Sequence, residues 1–432
     1  MNPRGPPFPD LRAFDGRTLA GAVGQRRSDF VGFLVATAMS AYLVANRLIP
    51  DVFVLPVGLS IRLWEPFLAL AAVAWFLWLI VQPKPFPRGA LGLIALILLV
   101  VLVLAYFWNA PTYDEFEAQA SRRGVLRVVL YGALFLISYH LALDLARGRR
   151  LLSLVAGLTA IQGVIGIFEF ATGQRAVFLY HFWTGIGLIE DPKGVRGFNP
   201  SLRERLTGEI RAESTAPHPV TFSAVLAAGV LITLVLWLHA PTRRRRRLYG
   251  ALLIPQLIAL PLTSSRTGFV VLVVVGVALI VLQVRKWPAG LPLALGLTVV
   301  MLVTFVAVPS SARLLLNSFT RPLEDRNLHS RVADFDELPD LMADRPVIGA
   351  GYLTHDVSII VFDNAYNTAL WELGVVGFLL LVGFFLVCTG RSLKGLARGE
   401  PEETPVILMG VVGGLGLLAG GATFDAWTFD QF

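Results

Sequence analysis

A permanent cation wedged between two apolar runs is the first place where this sequence offers chemistry. In Leu262-Thr-Ser-Ser-Arg266-Thr-Gly268 one apolar stretch ends and the next begins with no room for a true loop. An arginine there lies at or just below a membrane surface, where its planar fork fits phosphate or diphosphate. Snorkelling to lipid phosphate would produce the same pattern. A second arginine, Arg211, opens Arg211-Ala-Glu-Ser-Thr-Ala-Pro-His218-Pro219, directly ahead of another apolar run. His218 falls at the mouth of the coming helix and Pro219 suits its first turn. Two arginines at separate helix junctions can clamp one diphosphate; a cap-and-anchor role remains the alternative for His218.

The third group is Asp363-Asn364-Ala-Tyr366-Asn367 followed by Trp371-Glu372-Leu-Gly374-Val-Val-Gly377. Asp363 or Asn364 can cap the next helix by accepting from an unpaired N–H. Alternatively, Asp363 is a carboxylate base at the mouth of a cavity. Glu372, about two turns inside that helix, needs a partner at such depth. Gly374 and Gly377 read as points of close helix packing. Arg331 and His355 are candidates for acceptor contacts, or simply solvated surface. Arg127, His140 and Asp144 fall on one expected span, with His140 and Asp144 spaced to share a helix face; they line a cavity, or Asp144 and Arg147 mark the cytoplasmic end of the span.

These residues must be held by membrane-spanning helices. The chain has 432 residues, 55% hydrophobic and 16% charged, and the apolar residues gather in runs long enough to cross hydrocarbon as helices. The expected fold class is an all-α polytopic membrane protein with about 11–12 transmembrane helices. Spans are expected at 30–48, 64–82, 89–107, 124–146, 151–171, 218–238, 248–263, 268–284, 289–308, 366–388 and 405–422. With residues 1–29 in the cytoplasm, the basic clusters from Arg26/Arg27 through Arg243–Arg247 to Arg391/Lys394/Arg398 all fall inside, as orientation by positive charge requires. Arg122 and Arg123 are the exception and fall outside. Residues 30–422 then form one transmembrane domain, with extracytoplasmic loops at 172–217 and 309–362 and an outer tail at 423–432. Loops of that length are commonly functional. In the second, Val332, Phe335, Leu338, Leu341 and Met342 have helical spacing, with Pro339 as a kink.

The net charge of +7 is therefore topological and does not point to nucleic acid. The single cysteine, Cys388, lies in an apolar run and reads as packing. Neither metal-ligand spacing nor a nucleotide-binding loop is present, so no metal and no cofactor is expected.

The order Arg…His-Pro, Ser-Ser-Arg-Thr-Gly, then Arg345-Pro-Val-Ile-Gly349-Ala-Gly351…Asp363-Asn364-Ala-Tyr366…Glu372-Leu-Gly374-Val-Val-Gly377 resembles the O-antigen ligase and polymerase superfamily. The resemblance implies a GT-C-like, metal-independent, inverting glycosyltransferase of the plasma (inner) membrane, with its site facing the periplasm or cell exterior. Its donor would be a glycan on a polyprenyl diphosphate, and its acceptor a hydroxyl on a lipid, glycan or protein. It would put Arg211 and Arg266 on the diphosphate. Asn364, Tyr366, Arg331 and His355 would contact substrate, and Asp363, His218 and Glu372 would be the candidate catalytic groups. Ligases of this family often carry histidine where this chain has Asp363, so the base could equally be His218 or His355. The competing class is a transporter or flippase for a lipid-linked or anionic substrate; it calls for polar residues through the bilayer and broken helices.

Overall fold

The computed structural model describes residues 16–49, 54–55, 61–62, 64–83, 86–87, 89–173, 211–216, 218–284, 337–354, 364–398 and 403–421. In chain order the helices are α1 (Gly16–Leu48), α2 (Glu65–Val81), α3 (Ala90–Asn109), α4 (Glu115–Ala142) and α5 (Leu145–Thr172). They continue with α6 (Pro219–Leu238), α7 (Arg243–Leu262), α8 (Arg266–Val284), α9 (Ala365–Arg398) and α10 (Thr404–Gly421). A 3₁₀ turn, Ala110–Thr112, follows α3, and the two-residue strands β1 (Val54–Leu55) and β2 (Ile61–Arg62) pair antiparallel between α1 and α2.

Among the described residues, 7 helices are long and apolar enough to cross a membrane, and α2 and part of α8 are shorter apolar helices. Large side chains such as Leu70, Ile80, Leu93 and Phe107 stay more than half exposed on their outward faces. Such a continuous apolar surface is stable only against hydrocarbon, and the protein is a helical polytopic membrane protein.

Helix α6 is the central post, packed by α5, α7, α8 and α10. Its Phe222, Leu226 and Leu231 are buried with Leu260, Phe269, Val275 and Leu408. A second cluster joins α1, α2 and α4 through Tyr42, Trp64, Leu68, Trp78 and Ile137.

The end of the bundle that carries the candidate residues is defined by contacts. Leu262 O at the end of α7 accepts from Ala212 N, and Thr215 Oγ1 donates to Arg47 O at the end of α1. The last turns of α10 reach both helix starts of interest: Tyr366 OH donates to Leu418 O, and a Cβ on Gly416 would lie 3.9 Å from Val271. The starts of α6, α8 and α9 therefore share one end, opposite the arginine run that opens α7.

Several expectations change in detail. Helix α4 starts at Glu115 rather than 124, because Asp114 and Glu117 form a capping box, and it stops at Ala142. Asp144 is thus not on α4: it caps α5, accepting from Ala146 N and Arg147 N, and pairs with Arg147 at 3.2 Å. His140 faces α2, where its Nδ1 accepts from Trp75 Nε1 at 2.9 Å, so His140 and Asp144 do not share a cavity face. Arg127 pairs with buried Glu65 at 3.1 Å. Residues 337–342 are helical and include Pro339. The expected span 289–308 lies outside the described residues.

Gly374 departs most from its expected role as a packing glycine. Its φ of 65° and ψ of −179° are not helical, so α9 is two helices meeting at a break. The backbone groups released there are taken up by residues 346–351. Ala350 N and Gly351 N donate to the carbonyls of Trp371 and Glu372, while Val375 N and Val376 N donate to those of Pro346 and Val347. Irregular backbone at membrane depth survives only with such internal pairing.

Candidate active site

The turn between α7 and α8 is Thr263–Ser265. Thr263 N and Ser264 N close the end of α7, and Ser264 takes a left-handed φ of 49° to redirect the chain. Arg266 then opens α8, half-buried, at the positive end of the helix dipole. Ser265 is buried, and its Oγ accepts from Ser223 Oγ of α6 at 3.0 Å.

Arg211 is brought to this same turn. Its Nε donates to Thr263 O at 2.9 Å and its Nη2 reaches Ser264 O at 3.4 Å, which fixes the guanidinium plane beside the residues preceding Arg266. The segment carrying Arg211 is held by a carboxylate that sequence reading does not single out. Buried Glu169, in the last turn of α5, accepts from both Glu213 N and Ser214 N at 2.7 Å. Two backbone N–H donors stabilise an ionised carboxylate strongly. Ser214 is left-handed (φ 56°), so each of the two facing turns holds a strained serine. Gln162 ties the segment to α1 by donating to Thr215 Oγ1 and to Arg47 O. The signal for Glu169 was present in the sequence, a lone carboxylate in an apolar run; its partner was not.

His218 is the N-cap of α6. Its Nδ1 accepts from Val220 N at 3.2 Å, with Pro219 in the first turn as the sequence indicates. That bond leaves the proton of a neutral ring on Nε2. Asn364 performs the same task for α9, its Oδ1 accepting from Tyr366 N at 2.8 Å. Tyr366 turns its hydroxyl to Leu418 O on α10. Glu372 lies just before the break in α9, 3% exposed, and its carbonyl anchors Gly351. Asp363, Arg331 and His355 lie outside the described residues.

The loop that repairs α9 is clamped from the other side by α3 and α4. Asn109 Nδ2 donates to Gly349 O at 2.9 Å, and Tyr113 OH donates to Ala350 O at 2.7 Å. Burial raises the Tyr113 pKa above its ordinary value, which keeps this hydroxyl a donor. Arg345 bridges Glu117 and Thr112 and lies over the Tyr113 ring.

Asn367, one turn into α9, is fully buried, and neither of its amide atoms has a hydrogen-bond partner among the described residues. Trp371 Nε1, one turn further on the same face, is in the same condition. Replacing Asn367 by leucine removes an amide whose desolvation is not offset. The Asn367→Leu protein is expected to match or exceed the parent in thermal unfolding temperature; a drop of several degrees would show that the amide is bonded.

The arrangement brings Arg211 and Arg266 to one turn, with His218, Asn364, Tyr366 and Glu372 at the same end of the bundle. No curated protein matches the chain. Residues 251–382 match the family model described as O-antigen ligase, a window that contains Arg266, Asn364, Tyr366 and Glu372 but not Arg211 or His218. That match supports a glycosyltransferase-type enzyme acting in polysaccharide biosynthesis, and over this window the chain is similar to the O-antigen ligase family.

Proposed function

We propose that the protein transfers a glycan from a polyprenyl-diphosphate carrier to an acceptor hydroxyl at the extracytoplasmic face of the plasma membrane. The observation that carries this reading is the anchoring of Arg211 on the carbonyls of Thr263 and Ser264, immediately before Arg266 at the start of α8. As the glycosidic bond to the diphosphate breaks, negative charge builds on the leaving group. Preplaced guanidinium groups and a helix N-terminus stabilise that charge without reorganising. The acceptor hydroxyl must lose a proton as it attacks the anomeric carbon. Asp363, with Glu372 and His218 as alternatives, is proposed for that role. Asn364 and Tyr366, at the start of α9, are proposed substrate contacts, and Arg331 and His355 are proposed acceptor contacts. The donor is already activated, so neither nucleotide nor metal is required.

The break in α9 is the one feature that favours a transporter, since broken helices at membrane depth line many translocation sites. Reconstitution into liposomes with a labelled polyprenyl-diphosphate sugar and a set of acceptor glycans separates the two. New glycoside with release of polyprenyl diphosphate supports transfer. Movement of intact donor between leaflets without new glycoside supports transport and overturns our reading.

A further inference from the structure

Helix α4 carries three arginines, Arg122, Arg123 and Arg127, near the end of the bundle that holds the candidate site. This is the end where positive-charge orientation disfavours them. Their position is fixed by neighbours. A Cβ on Gly124 would lie 2.2 Å from Tyr352 O, and Ser121 Oγ donates to Tyr113 OH, so this stretch packs directly on the loop that repairs α9. Three described carboxylates near this stretch are already engaged. Glu65 holds Arg127, Glu117 holds Arg345, and Asp114 caps α4. Arg122 is exposed and Arg123 half-buried. The Nε of Arg123 is buried, with no hydrogen-bond partner among the described residues.

A guanidinium whose buried Nε has no partner among the described residues is costly to leave so, and its fork matches a phosphate oxygen pair. We propose that Arg123, assisted by Arg122, forms an anion-binding site for a phosphate group beside the 345–354 loop. It is separate from the Arg211/Arg266 pair and does not depend on the glycosyl-transfer reading. Two sources share that chemistry: a phospholipid headgroup at the membrane surface, or a phosphorylated sugar on a substrate.

The full chain in nanodiscs can be tested with phosphatidylglycerol against phosphatidylcholine, by native mass spectrometry of retained lipid. Glucosamine 1-phosphate against glucosamine, by equilibrium dialysis, covers the second source. The component of binding assigned to this site is the one lost in Arg123→Gln and kept in Arg211→Gln. Arg123→Gln is expected to weaken retention of one of the two phosphates by about tenfold or more. Arg123→Lys, which preserves charge but not the fork, should retain an intermediate affinity and guards against misfolding of the glutamine variant. Preference for phosphatidylglycerol identifies a headgroup, and preference for the sugar phosphate identifies a substrate group. Wild-type protein indifferent to both phosphates, or Arg123→Gln binding like wild type, overturns the proposal.

Discussion

Arg266→Ala is expected to lower glycan transfer by about 10²- to 10³-fold, the usual cost of removing one preorganised donor from a developing anion. The turn that presents Arg266 is built by other residues, through Thr263, Ser264 and the Ser223–Ser265 bond, so unfolding temperature should move little. Arg211→Ala is expected to lose transfer by a similar factor and some stability as well, because that side chain also bonds the carbonyls of Thr263 and Ser264. Steady-state rates at saturating donor, measured beside thermal unfolding, check both halves of the expectation. An arginine that only snorkels to lipid phosphate would give an Arg266→Ala enzyme with nearly full activity.

The second large effect is structural. Gly374 has backbone angles open essentially to glycine alone, and a Cβ there would lie 2.4 Å from both Gly349 N and Val347 O. Neither atom is the end of a flexible side chain, so Gly374→Ala must open the seam between α9 and the 346–351 loop. We expect a loss of more than about 3 kcal/mol, or failure to recover monodisperse protein. Gly383→Ala is the matched control on the same helix. Nothing lies within 4 Å of its added Cβ, and alanine is the better helix former by about 1 kcal/mol. Size-exclusion profiles and unfolding temperatures of the two variants give the comparison. A Gly374→Ala protein as stable as its parent would mean that α9 is not broken there.

What the sequence made legible follows from where the information is local. The three-residue turn before Arg266 could be read because two apolar runs abut it, and the capping place of His218 because proline follows directly. The class of fold was legible in the length of the apolar runs. The break at Gly374 was not, since a glycine inside an apolar helix looks the same whether it packs or breaks. Only the return of residues 346–351 alongside, through bonds from Ala350 and Gly351 to Trp371 and Glu372, distinguishes the two. Glu169 was hidden for the same reason: its partners, Glu213 N and Ser214 N, lie 44 and 45 residues away. The start of α4 was readable in principle. Asp114-Glu-Phe-Glu117 is a capping box ahead of a polar first turn, and the hydropathy of the later residues drew the expected boundary inward.

The central claim is that one site, built around Arg211 and Arg266, cleaves a sugar from a polyprenyl diphosphate and joins it to a hydroxyl. Its most direct test is a transfer assay with purified protein in nanodiscs and a synthetic polyprenyl-diphosphate sugar labelled on both the sugar and the diphosphate, in excess EDTA. The account predicts new glycoside and released polyprenyl diphosphate in equal amounts, undiminished by EDTA and abolished when Arg211 and Arg266 are both replaced by alanine. Transfer that persists in the doubly substituted protein would contradict it.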